Sequence, residues 1–181
     1  PFLQWAEREG FEIGVCTNAD LETHPEVLDG AGLYLSVGHD EYRSAGMRDT
    51  VEAFVARGGN AAFFSGNTSL WQVRLEGDDH DVMVGYKGFF KDDPLMDTDR
   101  EPEVTTFWSD VIVGRPENHM TGVSFTRGGY HRIGRNVTSG LGGYTVHRAD
   151  HWLFDGTGLG YGDVLGTGAT VVGYECDGCV F

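Results

Sequence analysis

Leu33-Tyr34-Leu35-Ser36-Val37-Gly38-His39-Asp40-Glu41-Tyr42-Arg43-Ser44 is the stretch on which the reading of this chain turns. Residues 33–37 form a short apolar run with the length and composition of a buried strand. Gly38 ends that strand, and three polar, ionisable residues follow at once. Ser44 caps a helix whose apolar positions Met47, Val51, Phe54 and Val55 recur at helical spacing. The unit reads strand, turn, helix, with His39 and Glu41 at the strand's carboxyl end. Open α/β sheets bind ligands at that edge.

The same alternation extends to either side. Residues 2–8 have helical apolar spacing, with Gly10 just beyond, where helices stop. Residues 11–16 read as a strand, residues 17–20 as a loop and residues 25–28 as one helical turn. The helix at 45–57 is stopped by Gly58-Gly59, and residues 60–65 form another short buried strand that ends in Gly66-Asn67-Thr68. Strand–helix–strand order implies parallel strands and a doubly wound, mainly parallel sheet. The turns at His39–Glu41 and Gly66–Asn67 then share one edge of it.

Beyond Asn67 the texture changes. Residues 70–76 and 82–87 read as strands across the acidic turn Gly77-Asp78-Asp79-His80-Asp81. Residues 91–103, with Pro94 and Pro102, read as a surface excursion, and glycine is dense from Gly122 onward. Residues 144–147 and 151–154 are strand-like, and residues 169–174 form a last strand running into Glu175. The expectation is one α/β domain over 1–181, its core at about 1–90 plus the strand near 169–175, with a glycine-rich β and loop elaboration over 91–168. The chain starts without Met and stops directly after that strand, so it reads as a piece of a longer protein.

A formal net charge of −15 argues against nucleic acid or an anionic membrane as partner, and no apolar run reaches membrane-spanning length. The cytoplasm is the expected location. Three cysteines make no disulfide scaffold, and the single C-x-x-C pair, Cys176 and Cys179, offers only two zinc ligands.

His39 and Glu41 admit two readings. A carboxylate with a histidine nearby is a common metal site, but acidic residues and a turn histidine also suit a helix amino-terminus. Asn67 is placed to orient a ligand or to shape its turn. Lys87 follows an apolar strand and either reaches solvent or faces the cleft. Glu175 ends a strand, where a partly buried carboxylate serves as a general base or as an ordinary salt-bridge partner. His80, His119, His131, His147 and His151 lack ligand spacing within a helix. Nucleophile-elbow and phosphate-loop motifs are missing, and Gly156 to Gly162 has no helix after it.

Longer motifs go beyond pattern. Ser36-Val37-Gly38-His39-Asp40-Glu41-Tyr42, the run from Val51 to Asn60, Phe63-Phe64-Ser65-Gly66-Asn67-Thr68, Trp71-Gln72-Val73-Arg74 and Tyr86-Lys87 form one set. Arg115-Pro116-Glu117-Asn118, Met120-Thr121-Gly122-Val123-Ser124 and Gly173-Tyr174-Glu175-Cys176-Asp177-Gly178 complete it. Together they resemble the carboxyl-terminal region of the N,N-dimethylformamidase large subunit and its relatives, over nearly the whole chain. Arg43 departs from the pattern, since relatives usually carry Trp there, and this alters the expected wall of the site.

The resemblance implies an amidohydrolase with a mononuclear, ferric iron held by two tyrosines and one glutamate, on a fold like the class I glutamine amidotransferases. Carried over by motif, Glu41 is the iron-binding glutamate, His39 its neighbour, and Asn67, Lys87 and Glu175 line the pocket. The two tyrosine ligands belong to sequence upstream of this chain. The substrate is then a small N-substituted amide, with a small accessory subunit and a homo-oligomer as partners. Hard iron favours phenolate and carboxylate oxygen over thiolate, in keeping with a motif that lacks cysteine. A scaffold that binds a ligand such as carbohydrate, without hydrolysis, is the competing expectation.

Overall fold

The computed structural model describes residues 2–125 and 144–165. The strand expected at 169–175, with Glu175, Cys176, Cys179 and His131, lies outside the described residues. Among the described residues four α-helices, α1 (Phe2–Arg8), α2 (Asn18–Thr23), α3 (Ala45–Ala56) and α4 (Asn118–Thr121), accompany eight short strands. These are β1 (Leu33–His39), β2 (Tyr42–Arg43), β3 (Asn60–Gly66), β4 (Trp71–Gln72), β5 (Arg74–Glu76), β6 (Val82–Val84), β7 (Tyr144–Thr145) and β8 (Val164–Leu165). They pair two by two: β1–β3 and β2–β4 parallel, β5–β6 and β7–β8 antiparallel.

Helix α3 forms because Met47, Val51 and Phe54 fall on one face and Ser44 satisfies its first turn. The Ser44 hydroxyl accepts the Met47 N–H at 3.1 Å. Gly58 ends the helix at φ +101°, and a side chain on Gly59 would strike the Phe54 ring, its Cβ only 2.4 Å away. The buried face meets Leu21 of α2, Leu28 and Tyr34 of β1 in one core. Truncating Phe54 to Ala in such a core costs about 3–5 kcal/mol.

Several expectations change. Residues 11–16 form no strand, and Phe11 and Val15 are exposed. Alternation is a weak signal in so short a run, and no neighbouring strand among the described residues completes a ladder there. Strand β1 does not stop at Gly38 but passes through it to His39, because glycine accepts the φ of +103° there. It is also not buried on both faces: Tyr34 and Ser36 pack inward, whereas Val37 is 44% exposed and its partner Phe64 on β3 is 64% exposed. An apolar run alone cannot tell one-sided from two-sided burial. Residues 152–154 form a 3-10 turn rather than a strand, and β7 pairs instead with Val164–Leu165.

The excursion over 91–103 is anchored from within. Asp93 is buried, and its carboxylate accepts from the Arg74 guanidinium at 2.7 Å and from the Thr105 N–H at 3.0 Å. Gln72 donates to the carbonyls of Pro102 and Val104 at 2.8 and 3.0 Å. Lys87 N–H bonds the Thr105 carbonyl at 2.8 Å. These bonds fasten residues 86–106 to β4 and β5, and so fix where Lys87 stands.

Candidate active site

Parallel pairing of β1 with β3 sets His39 opposite Gly66, so the two turns that follow leave the same end of the pair. They are then laced together through the main chain. Asp40 N–H bonds the Gly66 carbonyl at 3.3 Å, Ser69 N–H the Asp40 carbonyl at 2.7 Å, and Trp71 N–H the Glu41 carbonyl at 3.0 Å. Asn67 and Ser69 take left-handed backbone at φ +50° and +55°, which the tight return toward β4 requires. Asparagine tolerates that region better than most residues.

The next layer follows from register. Tyr42 and Trp71 are direct partners in the parallel β2–β4 pair, so their side chains share a face. Lys87 enters over that face, its Nζ 5.0 Å from each ring centroid, and donates to the Tyr42 hydroxyl at 2.8 Å. Glu41 lies beneath. Its Oε1 accepts the Trp71 indole N–H at 2.9 Å and is 3.9 Å from the Lys87 ammonium, and its Oε2 is 3.0 Å from His39 Nε2. Trp71 in turn stacks on Phe107, centroids 3.9 Å apart, where an isolated antiparallel bridge holds the two residues.

The electrostatics follow from these contacts. Burial by itself pushes the Glu41 carboxyl up. Hydrogen bonds from His39 and Tyr42, the Lys87 charge and the Trp71 N–H together outweigh it and hold the group below its ordinary value. Glu41 is therefore an anion at neutral pH, its side chain 13% exposed beside a His39 side chain that is 55% exposed. An anion fixed at both oxygens and reachable from one side can hold a hard cation or orient a proton donor.

The structure brings His39, Glu41 and Lys87 into contact and puts Asn67 in the loop that closes over Asp40. Asn67 is only 5% exposed, and its Oδ1 has no hydrogen-bond partner among the described residues. Glu175 lies outside them. Arg43 does not form a wall of this site: one residue on from Tyr42 in β2, it points the opposite way and is fully buried against Tyr34 and Asp40. Sequence reasoning does not reach Trp71 or Phe107 as site residues. Tyr42 and Trp71 sit inside the motif runs quoted above, but what aligns them is a two-residue parallel pairing, which one sequence does not reveal.

The remaining histidines have other surroundings: His80 Nδ1 is 3.9 Å from Glu22, His147 meets the edge of Tyr161, and His151 accepts the Leu153 N–H. Among the described residues no three His, Cys, Asp or Glu side chains group as a metal site. No helix among them is long and apolar enough to cross a membrane.

A family described as N,N-dimethylformamidase beta subunit-like, C-terminal, matches residues 1–181. The chain belongs to this family. No curated protein matches it. The family assignment places the Glu41 cluster within a dimethylformamidase-related domain.

Proposed function

We propose that this domain is part of an iron-dependent amidohydrolase that cleaves small N-substituted amides of the N,N-dimethylformamide type to an amine and a carboxylate. The observation that carries the reading is Glu41, a carboxylate kept ionised and held at both oxygens at the end of β1, in a chain of the dimethylformamidase-like family. The donor set suits iron: a carboxylate beside a phenol and an imidazole, with the one described cysteine, Cys16, packed against the core that Leu21 and Tyr34 share. Glu41 would supply one ligand, and two tyrosines from preceding sequence the others. When bound, ferric iron supplies Lewis acidity toward a carbonyl or water.

Each residue of this chain then has a task. His39 orients Glu41. Lys87, a cation above two aromatic rings, and the Asn67 amide N–H stabilise negative charge growing on the amide oxygen. Glu175 takes the proton from the attacking water and passes it to the departing amine. The glutamine amidotransferase-like scaffold, a small accessory subunit, a homo-oligomer and a cytoplasmic location belong to the same proposal.

In the intact protein, Glu41→Gln is expected to abolish stoichiometric iron, since an amide is a poor ligand for a hard cation, while Glu175→Gln keeps iron and loses dimethylformamide hydrolysis. Iron analysis and amine release on both variants test this. Iron retained in Glu41→Gln removes the ligand role and favours a ligand-binding scaffold, and full turnover in Glu175→Gln removes the base.

A further inference from the structure

The two oxygens of Glu41 are not equivalent. Oε1 receives the Trp71 indole N–H at 2.9 Å and faces the Lys87 ammonium at 3.9 Å. Oε2 is also occupied, 3.0 Å from His39 Nε2, but that imidazole is 55% exposed and in its neutral form carries only one N–H, so it can yield the oxygen where Trp71 and Lys87 cannot. A donor N–H and a positive charge on one oxygen both disfavour a second cation there. Trp71 is held in place: its ring stacks on Phe107 with planes inclined by 20°, its N–H bonds the Glu41 carbonyl, and its neighbours Leu70 and Gln72 bond Trp108 and Thr106 on either side of the Phe107 bridge.

We propose that Trp71 is a second positioning residue of this site, beside His39. Its N–H occupies Oε1, and Phe107 acts as the plate that keeps the indole in place. Oε2, beside the exposed His39, would then be the Glu41 oxygen better placed to hold a hard cation. The inference rests on Glu41 being a metal ligand, and Glu41→Gln tests that premise separately. Donors to a ligating carboxylate fix its orientation, and their loss typically costs 10–100-fold in metal affinity. Trp71→Phe keeps an aromatic ring on Phe107 and removes the N–H together with the rest of the five-membered ring.

The test uses the intact protein loaded with ferric iron and then challenged with excess chelator. Trp71→Phe is expected to release iron roughly 10–100-fold faster than the parent. Its iron-loaded-minus-free infrared spectrum should show the two carboxylate stretches drawing together, as Oε1 becomes free to bind alongside Oε2. The iron-free variant should unfold within a few degrees of the parent, which separates positioning from folding. Parent-like release with unchanged carboxylate bands overturns the proposal. If Trp71→Phe does not fold, Phe107→Leu carries the test: release should quicken several-fold, and a parent-like rate overturns it. If Glu41→Gln holds iron as tightly as the parent, the premise has failed and this inference falls with it.

Discussion

At Arg43 a guanidinium is wholly buried, bonded to the Tyr34 hydroxyl at 2.7 Å and to Asp40, while its Nε and Nη1 have no partner among the described residues. Burial alone would lower its pKa, but Asp40 and Tyr34 hold it above its ordinary value. Asp40 also takes bonds from Ser36 at 2.5 Å and Asn18 at 2.7 Å, so this pair ties α2, β1 and β2 together under the site. Breaking a buried pair from one side leaves the other charge uncompensated, at a cost of about 3–5 kcal/mol. Arg43→Leu should lose that much in urea unfolding, and a loss below about 1 kcal/mol would show that the pair contributes little. Asn67 poses the opposite case. Asn67→Gly suits the left-handed backbone, so stability should change by less than about 1 kcal/mol. Turnover should nevertheless fall at least tenfold, because the buried carboxamide is gone. Unchanged turnover would make Asn67 a turn residue and nothing more.

Among the elements, α3 and the anchored excursion depend on single polar groups. Ser44→Ala removes the cap that accepts Met47 N–H, and also a bond to Glu22. A loss of about 1–2 kcal/mol is expected by thermal unfolding. Asp93 gives the excursion a pH dependence. Burial raises its pKa, but Arg74 and the N–H groups of Thr105 and Leu95 outweigh that and bring it from 3.8 to about 2. Its contribution to stability, roughly 2 kcal/mol, is complete above the unfolded value and lost as pH falls through the folded one. Between pH 5 and pH 2 the parent should lose that increment, and Asp93→Asn, already lacking it, should show a correspondingly flatter profile. Parallel profiles for the two proteins would remove Asp93 as the source.

For the whole molecule, the described residues offer one anionic carboxylate with a histidine and a phenol beside it, far short of a closed cage for iron. Residues 1–181 expressed alone should therefore bind well under one equivalent of ferric iron in equilibrium dialysis. Stoichiometric binding would point to Tyr42 or His39 as direct ligands.

Part of this architecture follows from local rules alone. Helical spacing and the Ser44 cap define α3, the apolar runs locate β1 and β3, and both turns fall at one end of that pair because parallel strands leave no other arrangement. The long motifs carry the family, and with it Glu41. The rest depends on partners distant in the chain. Residues 11–16 have the pattern of a strand but no ladder among the described residues, Arg43 turned inward because strand neighbours alternate, and Lys87 reached Glu41 only because Asp93 and Thr105 fasten its segment to β4 and β5. Trp71 became part of the site through its pairing with Tyr42 and its stacking on Phe107. Such contacts join positions about 30 residues apart, and no local periodicity encodes them.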